Sequence, residues 1–89
     1  MKKMRTHTFR GTRYQVETSK LITGFAEIPR AAAARTIYVA KNLPPLEHLE
    51  TAIHEAMHAE DPDTLERVVE RRGRSIARFL WRLGYRRVV

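Results

Sequence analysis

The first half of the chain favours strands and the second half favours helices. Thr6–Arg10 and Arg13–Glu17 carry β-favouring residues on either side of Gly11-Thr12, which predicts a hairpin. Thr36–Ala40 is β-branched and aromatic and is the clearest strand. Leu21–Ile28 is apolar but contains a glycine and precedes a proline, which predicts a short or bulged piece.

After two prolines the apolar period becomes helical. Pro45 suits the first position of a helix, and the following pattern predicts a helix that runs to about Glu60. Asp61-Pro62-Asp63-Thr64 then combines capping residues with a proline suited to a first helical turn, so a second helix is predicted here, with Gly84 as its stop. The apolar side of this second helix is predicted to consist of Leu65, Val68, Val69, Ile76, Leu80 and Leu83.

Strands followed by helices indicate an α+β fold, with a small antiparallel or mixed sheet of about three strands packed on two C-terminal helices. We expect one domain over residues 1–89, with residues 1–5 as a disordered basic tail. A chain of 89 residues buries only a modest core and usually needs a staple. Because it has no cysteine, a stabilising or catalytic metal would have to be held by histidine and carboxylate.

One motif carries chemistry: His54-Glu55-Ala56-Met57-His58 reads H-E-x-x-H within the first predicted helix. Histidines four residues apart lie on one helix face, so both imidazoles can reach a single ion. A zinc ion lowers the pKa of bound water towards about 7, and a glutamate beside the first histidine can take the proton from that water. The motif therefore predicts one Zn²⁺ per chain, with Glu55 as general base.

Catalytic zinc sites usually have three protein ligands, so a third ligand is needed besides the two histidines. The start of the second predicted helix offers Glu66, and Glu70 one turn later as the reserve. We predict Glu66, because it lies near the helix N-terminus and can point back across a short turn. Its alternative role is that of a helix cap, since Asp63-Thr64-Leu65-Glu66 also has the spacing of a capping box.

Seventeen Lys and Arg against ten Asp and Glu give a net charge of +7. Most of the arginines in the C-terminal part lie on the second predicted helix, which would attract nucleic acid or an acidic substrate, or would simply be solvated. The chain has no apolar run long enough for a bilayer and no secretory signal at its start, so we expect a cytoplasmic protein with no membrane partner.

The stretch Leu49–Ala59, followed by Pro62, Glu66 and Ile76–Arg86, resembles small HExxH proteins encoded in bacteriophage genomes. These look like minimal zincins of the gluzincin type, which are metalloproteases whose third ligand is a glutamate on the next helix. The similarity covers roughly residues 35 to 87. A phage-encoded protein would work in the cytoplasm of the host cell.

The resemblance implies His54, His58 and Glu66 as zinc ligands, Glu55 as base, and an edge strand at Thr36–Ala40 lying over the active-site helix. The first hypothesis is therefore a zinc metallopeptidase that acts on a peptide or protein substrate. The alternatives are a basic nucleic-acid-binding protein whose zinc is structural or absent, a protease that docks acidic or DNA-bound proteins on its basic helix, and a metal that acts only as a structural staple.

Overall fold

The computed structural model describes residues 6–18 and 35–88. Along the chain these form β1 (Thr6–Phe9), β2 (Thr12–Glu17), β3 (Thr36–Tyr38), α1 (Pro45–Glu60) and α2 (Glu66–Leu83). The α+β class, with a three-stranded mixed sheet and two C-terminal helices, is confirmed. The predictions for residues 1–5 and 21–28 lie outside the described residues.

β1 and β2 form the predicted hairpin, with its turn one residue earlier than expected. Arg10 and Gly11 occupy the two turn positions with φ of 49° and 81°, so both are left-handed, as in the tight turns that match the twist of paired strands. Phe9 lies opposite Thr12 across the turn. Arg10 also donates from Nη1 to the backbone oxygen of Glu60 at 2.9 Å, which ties the turn to the end of α1.

β2 is the central strand, antiparallel to β1 and parallel to β3. Val16 lies opposite Ile37, and the backbone N–H of Val39 donates to the oxygen of Glu17 at 2.9 Å. The predicted strand Thr36–Ala40 is therefore present, although its regular part ends at Tyr38. The sheet packs on α1 through a small core of Ile37, Val39 and Ala59, with Phe9, Tyr14 and Ala52 against it.

α2 packs along α1 and reaches the sheet mainly through it. Its buried residues are Val69, Gly73 and Ala77, at i, i+4 and i+8. The prediction that Leu65, Ile76 and Leu83 lie on the buried side is wrong, since all of them are exposed, Leu65 by 59%. The reason is steric: small side chains let the helices approach closely, so the smallest residues form the contact instead of the largest apolar ones.

α1 has the predicted bounds, with Pro45 in its first turn. α2, in contrast, begins at Glu66 with Leu65 as N-cap, several residues after the predicted start. Residues 61–65 form the turn between the helices, in which the N–H of Thr64 donates to the oxygen of Asp61 at 3.1 Å. No side chain caps α2, so the interpretation of Glu66 as part of a capping box is wrong.

The C-terminal end folds back on the start of α1. α2 ends at Gly84, whose φ of 103° is left-handed, as predicted for a glycine stop. The Nη1 atom of Arg87 lies 2.7 Å from the Nε2 atom of His48. The Nη2 atom of Arg87 donates to the backbone oxygen of Lys41 at 3.3 Å. Neither described helix is long and apolar enough to cross a membrane.

Gly73 offers a test of the helix contact. A Cβ built at Gly73 would lie 3.5 Å from the backbone N and Cα of His54, an ordinary van der Waals distance. We expect Gly73→Ala to raise the free energy of unfolding by about 0.5–1 kcal/mol, because alanine favours the helix and fits. Gly73→Leu should lower it by about 1–3 kcal/mol through overpacking. Urea denaturation measures both, with Ser75→Leu on the exposed side of α2 as control; equal effects of the two leucines would contradict this packing.

His48 offers a test of the contact between Arg87 and the start of α1. Burial, and then the charge of Arg87, lower the pKa of His48 from its ordinary value. The unfolded chain therefore binds this proton more readily, and His48 lowers stability as the pH falls below about 6.5. We expect Arg87→Ala to raise the pKa of His48 in an NMR titration, whereas Arg72→Ala, which removes the same charge elsewhere, should leave it in place. An unchanged pKa of His48 in Arg87→Ala would show that the contact between Arg87 and His48 is absent.

Candidate metal centre

α1 brings the two motif histidines together. His54 and His58 lie one turn apart, with ring centroids 4.8 Å apart and their Nε2 atoms separated by 3.2 Å. Their side chains are 24% and 31% exposed, so the rings are held by the helices but open to solvent on one side. Both Nε2 atoms face the same point beside the C-terminal half of α1.

α2 supplies the third group from its first turn. The Oε1 atom of Glu66 lies 2.7 Å from Nε2 of His54 and 3.0 Å from Nε2 of His58. Two features place it there: the turn at residues 61–65, which returns the chain beside the end of α1, and Gly73, which keeps α2 close to the backbone of His54. We call His54, His58 and Glu66 the metal triad.

Glu70, the reserve ligand, lies elsewhere, and so do the two histidines outside the motif, which the sequence places on the surface. Glu70 pairs with Arg74 at 3.0 Å, one helical turn along α2. His48 is bound to Arg87, and the ring of His7 lies against Phe9 with centroids 4.6 Å apart. Within residues 6–18 and 35–88, the metal triad is the single group of three or more His, Cys, Asp or Glu side chains close enough to share an ion.

The metal triad has the donor types of a zinc site, with separations that are close to those that zinc needs. Ligand atoms about 2.0–2.2 Å from zinc in a tetrahedron lie roughly 3.3–3.5 Å apart. The three atoms here are separated by 2.7 to 3.2 Å, slightly closer than that ideal. Two imidazole nitrogens and a carboxylate oxygen that point at one another need a proton or a cation between them. A divalent ion with affinity for nitrogen and oxygen meets that need.

Electrostatics favour the ionised carboxylate of Glu66. The hydrogen bond with His58 lowers the pKa of Glu66, the charges of His54 and His58 lower it further, and partial desolvation opposes them. The carboxylate therefore persists to a lower pH than an ordinary glutamate would allow.

Glu55 is half-buried on α1 and lines a cleft together with His54. The cleft measures about 290 Å³, at the lower end of the range for ligand pockets. The further residues that line it are Glu50, Thr51, Glu70 and Arg74. From the sequence, Tyr38, Tyr85 or an arginine could donate to an oxyanion, and the sequence does not choose among them; the structure places Arg74 in this cleft.

Glu66 and Glu70 can be distinguished by zinc binding. We expect one zinc per chain in the wild type, and an affinity loss of more than about tenfold in Glu66→Gln, because a ligand is removed. Glu70→Gln should keep the affinity within about threefold, since Glu70 contacts Arg74 instead. Competition with a chromophoric chelator gives the affinities, and His58→Ala serves as a reference for a lost ligand. Equal losses in both glutamate variants would contradict this geometry.

Comparison of the chain with protein-family models, with curated proteins and with solved structures found no match. The resemblance to small phage-encoded HExxH proteins therefore stays a prediction. The functional argument rests on the metal triad, on Glu55 and on the cleft that Glu55 lines together with His54.

Proposed function

We propose that the protein is a zinc-dependent metallopeptidase, with His54, His58 and Glu66 as zinc ligands and Glu55 as general base. The observation that carries the proposal is the convergence of three ligand atoms from two helices, each within 3.2 Å of the others, beside a glutamate that lines the adjoining cleft. Two histidines on one helix face would occur by helical spacing alone. A carboxylate that meets both from a second helix requires the tertiary structure.

Zinc, when bound, lowers the pKa of a water molecule to about 7 and polarises a substrate carbonyl. Glu55 accepts the proton of the attacking water and passes it to the nitrogen of the leaving amine. Its place next to His54 in sequence sets it on the flank of the ligand face, inside the same cleft. Arg74 is a cation that lines this cleft and can donate to an oxygen on which negative charge develops.

The number of ligands favours catalysis over a purely structural metal. Structural zinc sites are closed by four protein ligands, whereas catalytic sites use three and keep one position for water or substrate. Among the described residues no fourth His, Cys, Asp or Glu joins the metal triad. The exposed carboxylate of Glu66 and the partly exposed rings leave solvent access on one side.

Glu55→Gln tests the chemistry. We expect the variant to bind one zinc with unchanged affinity and to lose about 100-fold or more in kcat, because the amide has the shape of the base but accepts no proton. Hydrolysis of fluorescein-labelled casein, with zinc content measured on the same sample, gives both quantities. Glu47→Gln is the matched control, since Glu47 is an exposed glutamate in the first turn of α1.

Two results would contradict the proposal. If the wild type holds one zinc but hydrolyses no peptide bond, the metal is a structural staple between α1 and α2. If neither the wild type nor His58→Ala binds zinc, and the fold of both is unchanged after zinc is added, the metal centre itself is absent. The basic surface would then be the remaining indication of function.

A further inference from the structure

The outer side of α2 carries a row of arginines, which we call the basic row: Arg67, Arg71, Arg74, Arg78 and Arg82. Their spacing of four, three, four and four residues keeps them on one helix face. They line a shallow depression of about 900 Å³ along the helix. From Arg67 to Arg82 the row extends about 22 Å, which is the length of roughly six or seven residues of extended peptide.

Most of this charge is uncompensated. Arg74 pairs with Glu70 at 3.0 Å, and both side chains are exposed, so this pair is weak. Arg78 lies 3.5 Å from Glu50, a long distance for an ion pair, and Arg78 itself is exposed. Arg67, Arg71 and Arg82 have no acidic partner within the described part of the chain. The basic row is thus a strip of positive potential that attracts an anionic ligand.

The basic row continues into the cleft of the metal centre. Glu70 and Arg74 line both the depression and the cleft, where His54 and Glu55 are the other functional residues. A ligand that lies along α2 therefore has a direct path to Glu55. A charged surface that served only solubility would not need this connection to the cleft.

The apolar and acidic groups within the depression decide which anion fits best. Phe79, which is 62% exposed, and Leu83 lie among the arginines and offer contacts to apolar side chains. Glu70 places a negative charge inside the row, which disfavours a continuous chain of phosphates. A polypeptide with interspersed acidic and apolar side chains suits this pattern better than a nucleic-acid backbone does.

We propose that the basic row docks acidic polypeptide segments and guides the adjoining, less charged part of the same chain into the cleft beside Glu55. The cleavage step of this inference rests on the proposed peptidase function, since a docked chain is cleaved only if the metal centre is catalytic. The substrate class is therefore a flexible polypeptide with about six residues of acidic and apolar sequence next to the scissile bond.

Binding is tested separately from cleavage, in zinc-loaded Glu55→Gln protein that leaves the probe intact. The probe is a fluorescein-labelled peptide with a flexible core and a docking segment of about six residues, the length that matches the row, in which glutamate and leucine alternate. Its counterpart carries glutamine in place of each glutamate. We expect the acidic peptide to bind about tenfold more tightly or better by fluorescence anisotropy, and this preference to decline as salt rises from about 50 to 300 mM.

The variant Arg71→Gln/Arg82→Gln should reduce the preference to about threefold or less, because two exposed ion pairs with the peptide are lost. The control is Arg13→Gln/Arg72→Gln, which removes the same net charge from exposed positions outside the row and should keep the preference. Equal binding of the two peptides, or a preference that survives in Arg71→Gln/Arg82→Gln, would overturn the proposal.

Two further results separate the proposals. If an oligonucleotide binds in a manner that depends on Arg71 and Arg82 while the acidic peptide shows no preference, the basic row is a nucleic-acid surface and the docking proposal is wrong. If the zinc-loaded wild type cleaves neither peptide but the arginine-dependent preference holds, the docking proposal stands and the peptidase proposal fails. Cleavage of both peptides with equal kcat/KM would support the peptidase and refute the docking.

Discussion

The close crossing of α1 and α2 at Gly73 is the contact on which the rest of the structure depends. With no side chain at this position, α2 lies directly against the backbone of His54, and Val69 and Ala77 are buried on either side of it. This separation sets where the first turn of α2 meets the end of α1. Glu66 reaches both histidines because of it, so the metal triad is a consequence of helix packing.

The small hydrophobic core is the reason that a bound metal would stabilise this short chain. The described residues contain six buried hydrophobic side chains, most of them small. Such a core supplies little hydrophobic stabilisation, and chains of this size commonly rely on a metal or another cross-link. An ion held between His54, His58 and Glu66 would join the two helices, so its binding energy would also be folding energy. Chemistry and stability would then depend on the same three side chains.

α2 combines three roles on three parts of its surface. Its small residues pack against α1, its first turn carries Glu66, and its outer side carries the basic row. The helix dipole favours this distribution, since it stabilises a carboxylate near the N-terminus, as at Glu66, and an arginine in the last turn, as at Arg82. Under the proposed peptidase function, the shallow cleft beside Glu55 would enclose little of a substrate, so binding energy would have to come from a surface outside the cleft.

The sequence by itself determined what depends on near neighbours in the chain. The hairpin, the strand at residue 36, the bounds of α1 and the pairing of His54 with His58 follow from turn residues, β-branched runs, proline and helical spacing. The turn was misplaced by one residue, because the left-handed conformation extends to Arg10, which is not a residue that favours it.

Only the tertiary structure decided which face of α2 is buried, where α2 begins, and which glutamate meets the histidines. Hydrophobic periodicity selected Leu65 and Leu83 for the interior, whereas the fit between two helices selected Gly73 and Ala77. Glu66 and Glu70 lie one turn apart on the same helix, and the position of Glu66 near the N-terminus favours it in the sequence without fixing its distance from the histidines. The distance and angle between α1 and α2 separate them, and these depend on side-chain volumes at a contact between residues far apart in the chain.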